Sequence, residues 1–326
     1  MVLRHEQNRP SEAAGKVVPS GASDRLQFHA MGTQCEIQFT APDEATGAAF
    51  GREAMRWVQQ FEAKYSRYRP DSLVSRINAA AGRDWVALDS DAERLFALAD
   101  QVYVLTRGII DPTALPLLRI WNYQTERPRV PDKAAIDEAR RKVGWQRVRR
   151  ENGRIYLPEA GMGLDLGGFG KEYAVDYVAE IARRHGIEHV LIDFGHDVRV
   201  NGRASDGSMW TIGMEDPGRP GTVHRRLLAE SGGVATSGDY IRYFEAGGKR
   251  YGHIIDPRTG YPVSNECLSV TVVANSCLEA GLLATTAFVL GGEEGARLIE
   301  DYLGAEGCII CSDREYQTRG FYRYVV

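Results

Sequence analysis

Gly163-Leu164-Asp165-Leu166-Gly167-Gly168-Phe169-Gly170-Lys171-Glu172-Tyr173-Ala174-Val175-Asp176 places a glycine-rich bend and a lysine at the start of an amphipathic helix. Behind the bend, Ala174, Val175, Val178, Ile181 and Ala182 recur at helical spacing, and Gly186 stands where a C-terminal cap is expected. The unpaired N–H groups of the first turn, the positive end of the helix dipole and the Lys171 ammonium would face the bend. With glycines that let backbone approach a ligand closely, they describe an anion site. Taken alone, the stretch is equally well read as a tight turn before a packed helix. The Walker pattern needs glycine at 165 and Ser or Thr after the lysine, where the chain has Asp165 and Glu172, and the GxGxxG fingerprint is absent.

Outward from the bend, helices and strands mix without strict alternation. Between Asp43 and Tyr65, Phe50, Ala54, Val58 and Phe61 mark one face of a long helix. A second opens with Ser90 and Glu93 spaced as a capping box and continues through Leu95, Phe96, Ala99, Val102 and Leu105. A shorter helix follows Pro131, with Gly144 at its end. Strands are expected at Cys35 to Thr40, Val190 to Phe194, Met209 to Met214 and Leu268 to Ala274, with Asp216-Pro217-Gly218 as a turn. This order predicts an α+β fold: a single large domain over residues 25–326 with a mixed, largely antiparallel sheet and packed helices. No internal repeat or domain linker stands out.

The chain's 326 residues, 43% of them apolar, can bury one large core or two modest ones, and the net charge of −4 gives no sign of a nucleic-acid partner. Arg140-Arg141, Arg149-Arg150 and Arg183-Arg184 read as solvated surface. Residues 1–24 are polar and rich in Gly, Pro, Ser and Ala, without the apolar segment of a secretory signal, and read as a disordered tail. No apolar run approaches the roughly 20 residues of a membrane span. A cytoplasmic protein is therefore expected, or a periplasmic one if a leader has been removed. Five cysteines do not suggest a disulfide framework, and Cys308-Ile309-Ile310-Cys311 reads as buried thiols in an apolar strand rather than as half of a metal or redox site.

Further segments join the bend in a fixed order. They are Met31-Gly32-Thr33, Tyr65-Ser66-Arg67-Tyr68 running to Ser75-Arg76-Ile77-Asn78, and Asp111-Pro112-Thr113-Ala114-Leu115-Pro116-Leu117 followed by Trp121. After the bend come Ala235-Thr236-Ser237-Gly238-Asp239-Tyr240, His253-Ile254-Ile255-Asp256-Pro257-Arg258-Thr259-Gly260, and Ala284-Thr285 in a C-terminal apolar helix. In this order the chain resembles the ApbE family of FAD:protein FMN transferases. The resemblance covers nearly everything from Met31 to the last strand and implies the α+β fold of that family.

The resemblance implies an activity: FMN passes from FAD to a Ser or Thr hydroxyl of an acceptor protein, and AMP is released. It also implies that Met31 and Tyr68 contact the isoalloxazine ring, an aromatic face and a thioether both suiting a flat conjugated ligand. The nucleotide contacts would extend over Thr113, Gly167, Gly168, Lys171, Ser237, Tyr240, His253 and Ile254. Asp111 and Asp165 would orient ribose, adenine or backbone, although turn capping explains either equally well. His253 and Lys171 are the expected catalytic residues, His253 for proton transfer or phosphate contact because its reference pKa lies near neutrality. Asp256 can accept backbone N–H groups in a turn whose direction Pro257 fixes, holding His253 in place. Arg258 reads either as an anion ligand or as surface.

In the resembled family Mg²⁺ is held by a backbone carbonyl of the bend, an aspartate near the start of the C-terminal helix and a threonine four residues later. Gly170 and Thr285 match the first and third; the aspartate position is Gly281. Glu279 lies roughly 200° around the helix from Gly281 and is poorly placed to substitute. On the sequence alone, Gly281→Asp should restore a missing ligand. Glu172, His196 and Leu115 also stand at glycine positions of the family pattern. These departures keep two alternatives open: a homologue that binds FAD or FMN without transferring it, and a hydrolase that splits FAD into FMN and AMP.

Overall fold

The computed structural model describes residues 16–20, 23–125 and 127–326. Strict alternation decides the sheet. Strand Thr33–Thr40 buries Cys35, Ile37 and Phe39 on one face, and pairs antiparallel with Ser23–Ala30 on one side and His189–Phe194 on the other. The sheet continues through Asp197–Asn201, Ser231–Gly238, Cys267–Ala274, Glu306–Cys311 and Glu315–Gln317. Lys16–Ser20 adds the ninth strand at the Ser23–Ala30 edge, where Pro19, which cannot donate to a ladder, is tolerated. This strand falls within the expected tail, of which residues 1–15 and 21–22 lie outside the described residues. Every pairing among the described residues is antiparallel, in accord with the α+β expectation.

The chain forms two compact units. The first gathers Met1–Glu62, Phe169–Gly238 and Glu266–Val326 and contains the nine-stranded sheet. Hairpin Trp210–Glu215 with Val223–Ala229 packs Trp210, Met214 and Leu227 onto Val198, Val200, Val234 and Val273. Alternation turns Gly233 to the opposite face of Val234, where a Cβ would run into the backbone of Ser276 and Cys277, so glycine lets helix Cys277–Leu290 lie close on the sheet. That helix is apolar all round and correspondingly buried, through Leu282, Leu283, Ala284, Ala287 and Phe288. Ser276 caps its start by accepting the Glu279 N–H at 3.1 Å, and Asp176 accepts the Cys277 and Leu278 N–H groups at 2.9 Å each. The long helix, Glu44–Tyr65, buries Phe50, Ala54, Val58 and Phe61 as its periodicity predicts, with Phe50 edge-on to Phe39 and Trp57 stacked on Tyr177.

The second unit, Ala63–Gly168 with Asp239–Asn265, holds helices Leu73–Ala80, Ser90–Leu105, Leu115–Ile120 and Lys133–Arg141 and a small sheet of Val86–Ala87, Arg154–Tyr156 and Arg149–Glu151. Helix Ser90–Leu105 is capped by Asp89, whose side chain accepts the Ala92 N–H, rather than by the expected Ser90. The Asp89 carboxylate, one position earlier, takes the first-turn donor and also binds Lys64. Helix Lys133–Arg141 ends before Gly144, whose φ of 153° instead opens a short 3₁₀ turn at Trp145–Arg147. No helix among the described residues is long and apolar enough to cross a membrane.

Candidate active site

The first unit carries Met31, Gly170, Lys171, Ser237 and Thr285. Helix Gly170–Arg184 begins directly after the bend, and its N-cap, Phe169, offers no side-chain acceptor to the first-turn N–H groups. The expected cap follows at the other end, with Gly186 at φ 69°. Lys171 is already engaged: its ammonium pairs with buried Asp197 and donates to the carbonyls of Phe194 at 3.1 Å and Gly195 at 3.3 Å. Burial depresses its pKa, but Asp197 and Glu172 more than compensate and hold it above the usual lysine value. As found, Lys171 ties the helix start to the turn after His189–Phe194 instead of reaching toward the bend. Asp197 carried no motif; it opens strand Asp197–Asn201, 26 positions downstream of the lysine.

Two hairpin tips lie beside this pair. Met31-Gly32 (φ 51° and 72°) joins Ser23–Ala30 to Thr33–Thr40, and Gly195-His196 (φ 62° and 72°) joins His189–Phe194 to Asp197–Asn201. Both central residues of each tip take positive φ, as the tightest hairpin turn requires. The tips are linked by the Gly195 N–H donating to Gln34 O at 3.1 Å. Met31, a side chain held in the left-handed region, is secured by its N–H donating to Glu62 Oε1 at 2.9 Å. His196 is held similarly, donating to Asp193 Oδ1 at 2.7 Å. His196→Gly should therefore stabilise the protein by roughly 1 kcal/mol, because relief of the left-handed strain outweighs the added freedom of the unfolded chain. Its chemical-denaturation midpoint should rise, and an unchanged or lower midpoint would count against strain at this tip.

Ser237 and Thr285 are brought together, hydroxyl to hydroxyl at 2.8 Å. Gly281 stands one turn before Thr285 on the same helix face. The space in front of it is filled: a Cβ built there would be 2.6 Å from Glu172 Cγ and 3.0 Å from its Oε1. Glu172 is buried, and its Oε2 has no hydrogen-bond partner. Burial and then the nearby Asp197 push its carboxyl up to about 7, against the opposing pull of Lys171. Glu172 therefore turns toward Gly281 on the neighbouring helix.

The second unit carries the other expected residues. Tyr68 is exposed, with the Arg67 guanidinium 4.1 Å from its ring centre and donating to its hydroxyl at 2.7 Å. Arg67 also pairs with Asp165, whose Oδ1 accepts the Gly167 N–H at 2.6 Å. The aromatic ring and the glycine bend are thus joined through one arginine, whose part in this contact has no local signal in the sequence. Asn78 was passed over likewise; its amide donates to Leu164 O at 3.0 Å and accepts the Leu164 N–H at 2.5 Å, holding the bend as a neighbouring strand would.

Asp111 and Thr113 are buried and use their polar atoms within the protein. Asp111 Oδ1 accepts the Thr113 N–H at 2.7 Å and its hydroxyl at 2.6 Å, Oδ2 accepts the Trp145 N–H at 3.2 Å, and the Thr113 hydroxyl accepts the Gly144 N–H at 2.7 Å. Burial raises the Asp111 pKa, with the Thr113 bonds opposing. This is the turn-capping arrangement. The loop also meets the bend, since the Asp165 N–H donates to Pro112 O at 2.8 Å.

His253 follows strand Lys249–Gly252, its N–H donating to Arg242 O at 3.0 Å and its ring lying edge-on to Tyr123. Beyond it, Ile254 accepts the Val263 N–H at 2.9 Å, and Asp256 closes the turn through the Arg258 N–H, 2.9 Å, and the Gly260 N–H, 2.8 Å. Arg258 folds back onto Asp256 in a paired contact, and Trp121 Nε1 pins Gly260 O at 2.8 Å. Tyr240 is half-buried at the start of the same segment. The Cys308 and Cys311 thiols, three apart on strand Glu306–Cys311, face opposite sides: Cys308 enters the Val198 cluster and Cys311 lies 3.6 Å from Cys267.

An antiparallel α+β scaffold with a glycine bend running into a helix that has no side-chain N-cap, and an aromatic side chain braced on that bend, is the framework of a protein that can present backbone donors to an anionic ligand. The chain belongs to the ApbE family, whose model matches residues 31–309. It is 34% identical to a FAD:protein FMN transferase of Vibrio cholerae over 83% of this chain and 82% of that protein, and 31% identical to one of Treponema pallidum over 88% and 84%. Among solved structures, the ApbE protein of Thermotoga maritima superposes with a TM-score of 0.84 at 32% identity, covering 93% of this chain and 99% of that one.

Proposed function

We propose that this chain is a FAD:protein FMN transferase, moving the FMN part of FAD to a Ser or Thr hydroxyl of an acceptor protein. The observation that carries the reading is the ordered set of motifs from Met31 to Thr285 within the matched span of residues 31–309, at 34% identity to a relative named for that activity. The acceptor oxygen bonds to the FMN phosphorus while the bond from that phosphorus to the bridging oxygen breaks. AMP leaves with the bridging oxygen, and the hydroxyl proton passes to a base. Positioning and charge neutralisation account for most catalysis of this kind.

In this reading Tyr68 and Met31 take the flavin ring, and Tyr240 flanks it. The backbone of Gly167 and Gly168 and the first-turn N–H groups of Gly170–Arg184 receive the pyrophosphate. Asp165, Asp111 and Thr113 set the shape of the bend, and Lys171 anchors the helix start. His253, on a strand end fixed by Ile254 and Asp256, takes the proton. Mg²⁺ would supply charge neutralisation at the phosphates. Gly170 O and the Thr285 hydroxyl, bonded to Ser237, would hold it, and the buried unpartnered oxygen of Glu172 nearby fits a hard cation.

Incubation with FAD, Mg²⁺ and a panel of acceptor proteins should release AMP and add the mass of FMN to an acceptor. His253→Ala should slow this by roughly 10²-fold or more. Absence of both products from the wild type would overturn the reading, and AMP without acceptor modification would assign the chain to FAD hydrolysis.

A further inference from the structure

We propose that Glu172 is the carboxylate ligand of a hard divalent cation, presented from helix Gly170–Arg184 to the face of helix Cys277–Leu290 that carries Gly281 and Thr285. The inference deepens the transferase reading, on which the placing of that cation beside a flavin pyrophosphate rests. Three acids, Glu172, Asp176 and Asp197, belong to this part of the first unit. Two of them have partners: Asp197 is paired with Lys171, and Asp176 accepts the Cys277 and Leu278 N–H groups and faces Arg199 at 3.8 Å. Glu172 is only 8% exposed, and its Oε2 has no partner. A carboxyl oxygen so enclosed is unfavourable unless a donor or a cation meets it. The nearest ammonium, Lys171, is already held by Asp197 and two carbonyls.

The position of the carboxylate is as informative as its lack of a partner. Its Cγ and Oε1 occupy the volume that any side chain at 281 would need, at 2.6 and 3.0 Å from the Cβ position. One helical turn further on, the Thr285 and Ser237 hydroxyls meet. Gly170, at the start of the helix that bears Glu172, contributes a backbone carbonyl two residues away. Carboxylate, hydroxyl and carbonyl oxygens select Mg²⁺ or Mn²⁺ over softer metals. Cys277, the nearby sulfur, keeps its proton because burial and then the surrounding carboxylates disfavour its thiolate. Glutamate at 172 and glycine at 281 are then one exchange, with the charge carried on the neighbouring helix and directed to the same place.

The test is Mn²⁺ binding to the full-length protein, read from the free-ion electron paramagnetic resonance signal, with and without ADP as a pyrophosphate. The wild type should bind one Mn²⁺, and Glu172→Gln should weaken binding roughly tenfold or more. Glu172→Gly combined with Gly281→Asp moves the carboxylate back across the contact and should bind within a few-fold of wild type, whereas Glu172→Gly alone should not. Wild-type affinity in Glu172→Gln would overturn the proposal, as would a folded double variant without Mn²⁺ binding. Glu172-dependent Mn²⁺ binding in a protein that never releases AMP would remove the transferase reading and leave the cation site standing. Mg²⁺-dependent AMP release undiminished in Glu172→Gln would do the reverse.

Discussion

Gly281→Asp, introduced alone, should lower stability by roughly 2–4 kcal/mol in urea unfolding at neutral pH. The family pattern makes this substitution look like a repair, but the structure shows the space already taken. A Cβ at 281 would stand 2.6 Å from Glu172 Cγ, well inside contact distance, between two helices that pack on each other and on the sheet. Overpacking is one cost. The second is electrostatic, since a new carboxylate would join Glu172, whose Oε2 has no hydrogen-bond partner, beside a lysine already paired with Asp197. Adding Mg²⁺ should recover part of the loss, because a ligand bound only by the folded state raises its stability. An unfolding midpoint equal to wild type would mean that Glu172 swings out of the contact at little cost.

Lys171→Ala should be comparably damaging, at roughly 3 kcal/mol, because it leaves Asp197 charged, buried and without its partner. It also strips a donor from the carbonyls of Phe194 and Gly195 at the hairpin tip. The pH dependence follows from the raised pKa of Lys171. A lysine that holds its proton more tightly when folded contributes fully below its unfolded pKa of about 10.4 and loses that contribution as pH rises through the higher folded value. The deficit of the variant should therefore be constant across neutral pH and shrink only in alkali. Lys171→Met with Asp197→Leu, which removes both charges, should recover most of the loss in a double-mutant cycle. If Lys171→Ala keeps wild-type stability but loses FAD binding, the lysine faces the nucleotide rather than Asp197.

Elements whose signal is local were legible in the sequence. Phe50, Ala54, Val58 and Phe61 announced a helix face, and the expected Cys35 to Thr40 and Leu268 to Ala274 fall inside strands Thr33–Thr40 and Cys267–Ala274. The Asp256-Pro257 turn was foreseen in its hydrogen bonding as well as its place. Helix caps were harder, because Asp89 and Ser90 are both good caps and only geometry chooses. What the sequence hid were contacts between distant residues. Asn78 grips Leu164 across 86 positions, and Lys171 meets Asp197 across 26. Glu172 and Gly281 each look like a separate defect until their atoms are seen competing for one volume. A motif reports which residue types recur at which spacing, whereas complementarity between two helices is a property of packed space.

The threading of the sheet has a consequence for how the protein is made. Strand Cys267–Ala274 lies inside the sheet, paired on one side with Ser231–Gly238 and on the other with Glu306–Cys311, so the ladder begun by Thr33–Thr40 cannot be completed until almost the whole polypeptide has left the ribosome. Pairings this remote in sequence form slowly and leave strand edges open in the interval. Nascent chains should accordingly depend on protection by chaperones late in synthesis, and no contiguous N-terminal fragment should reproduce the sheet on its own.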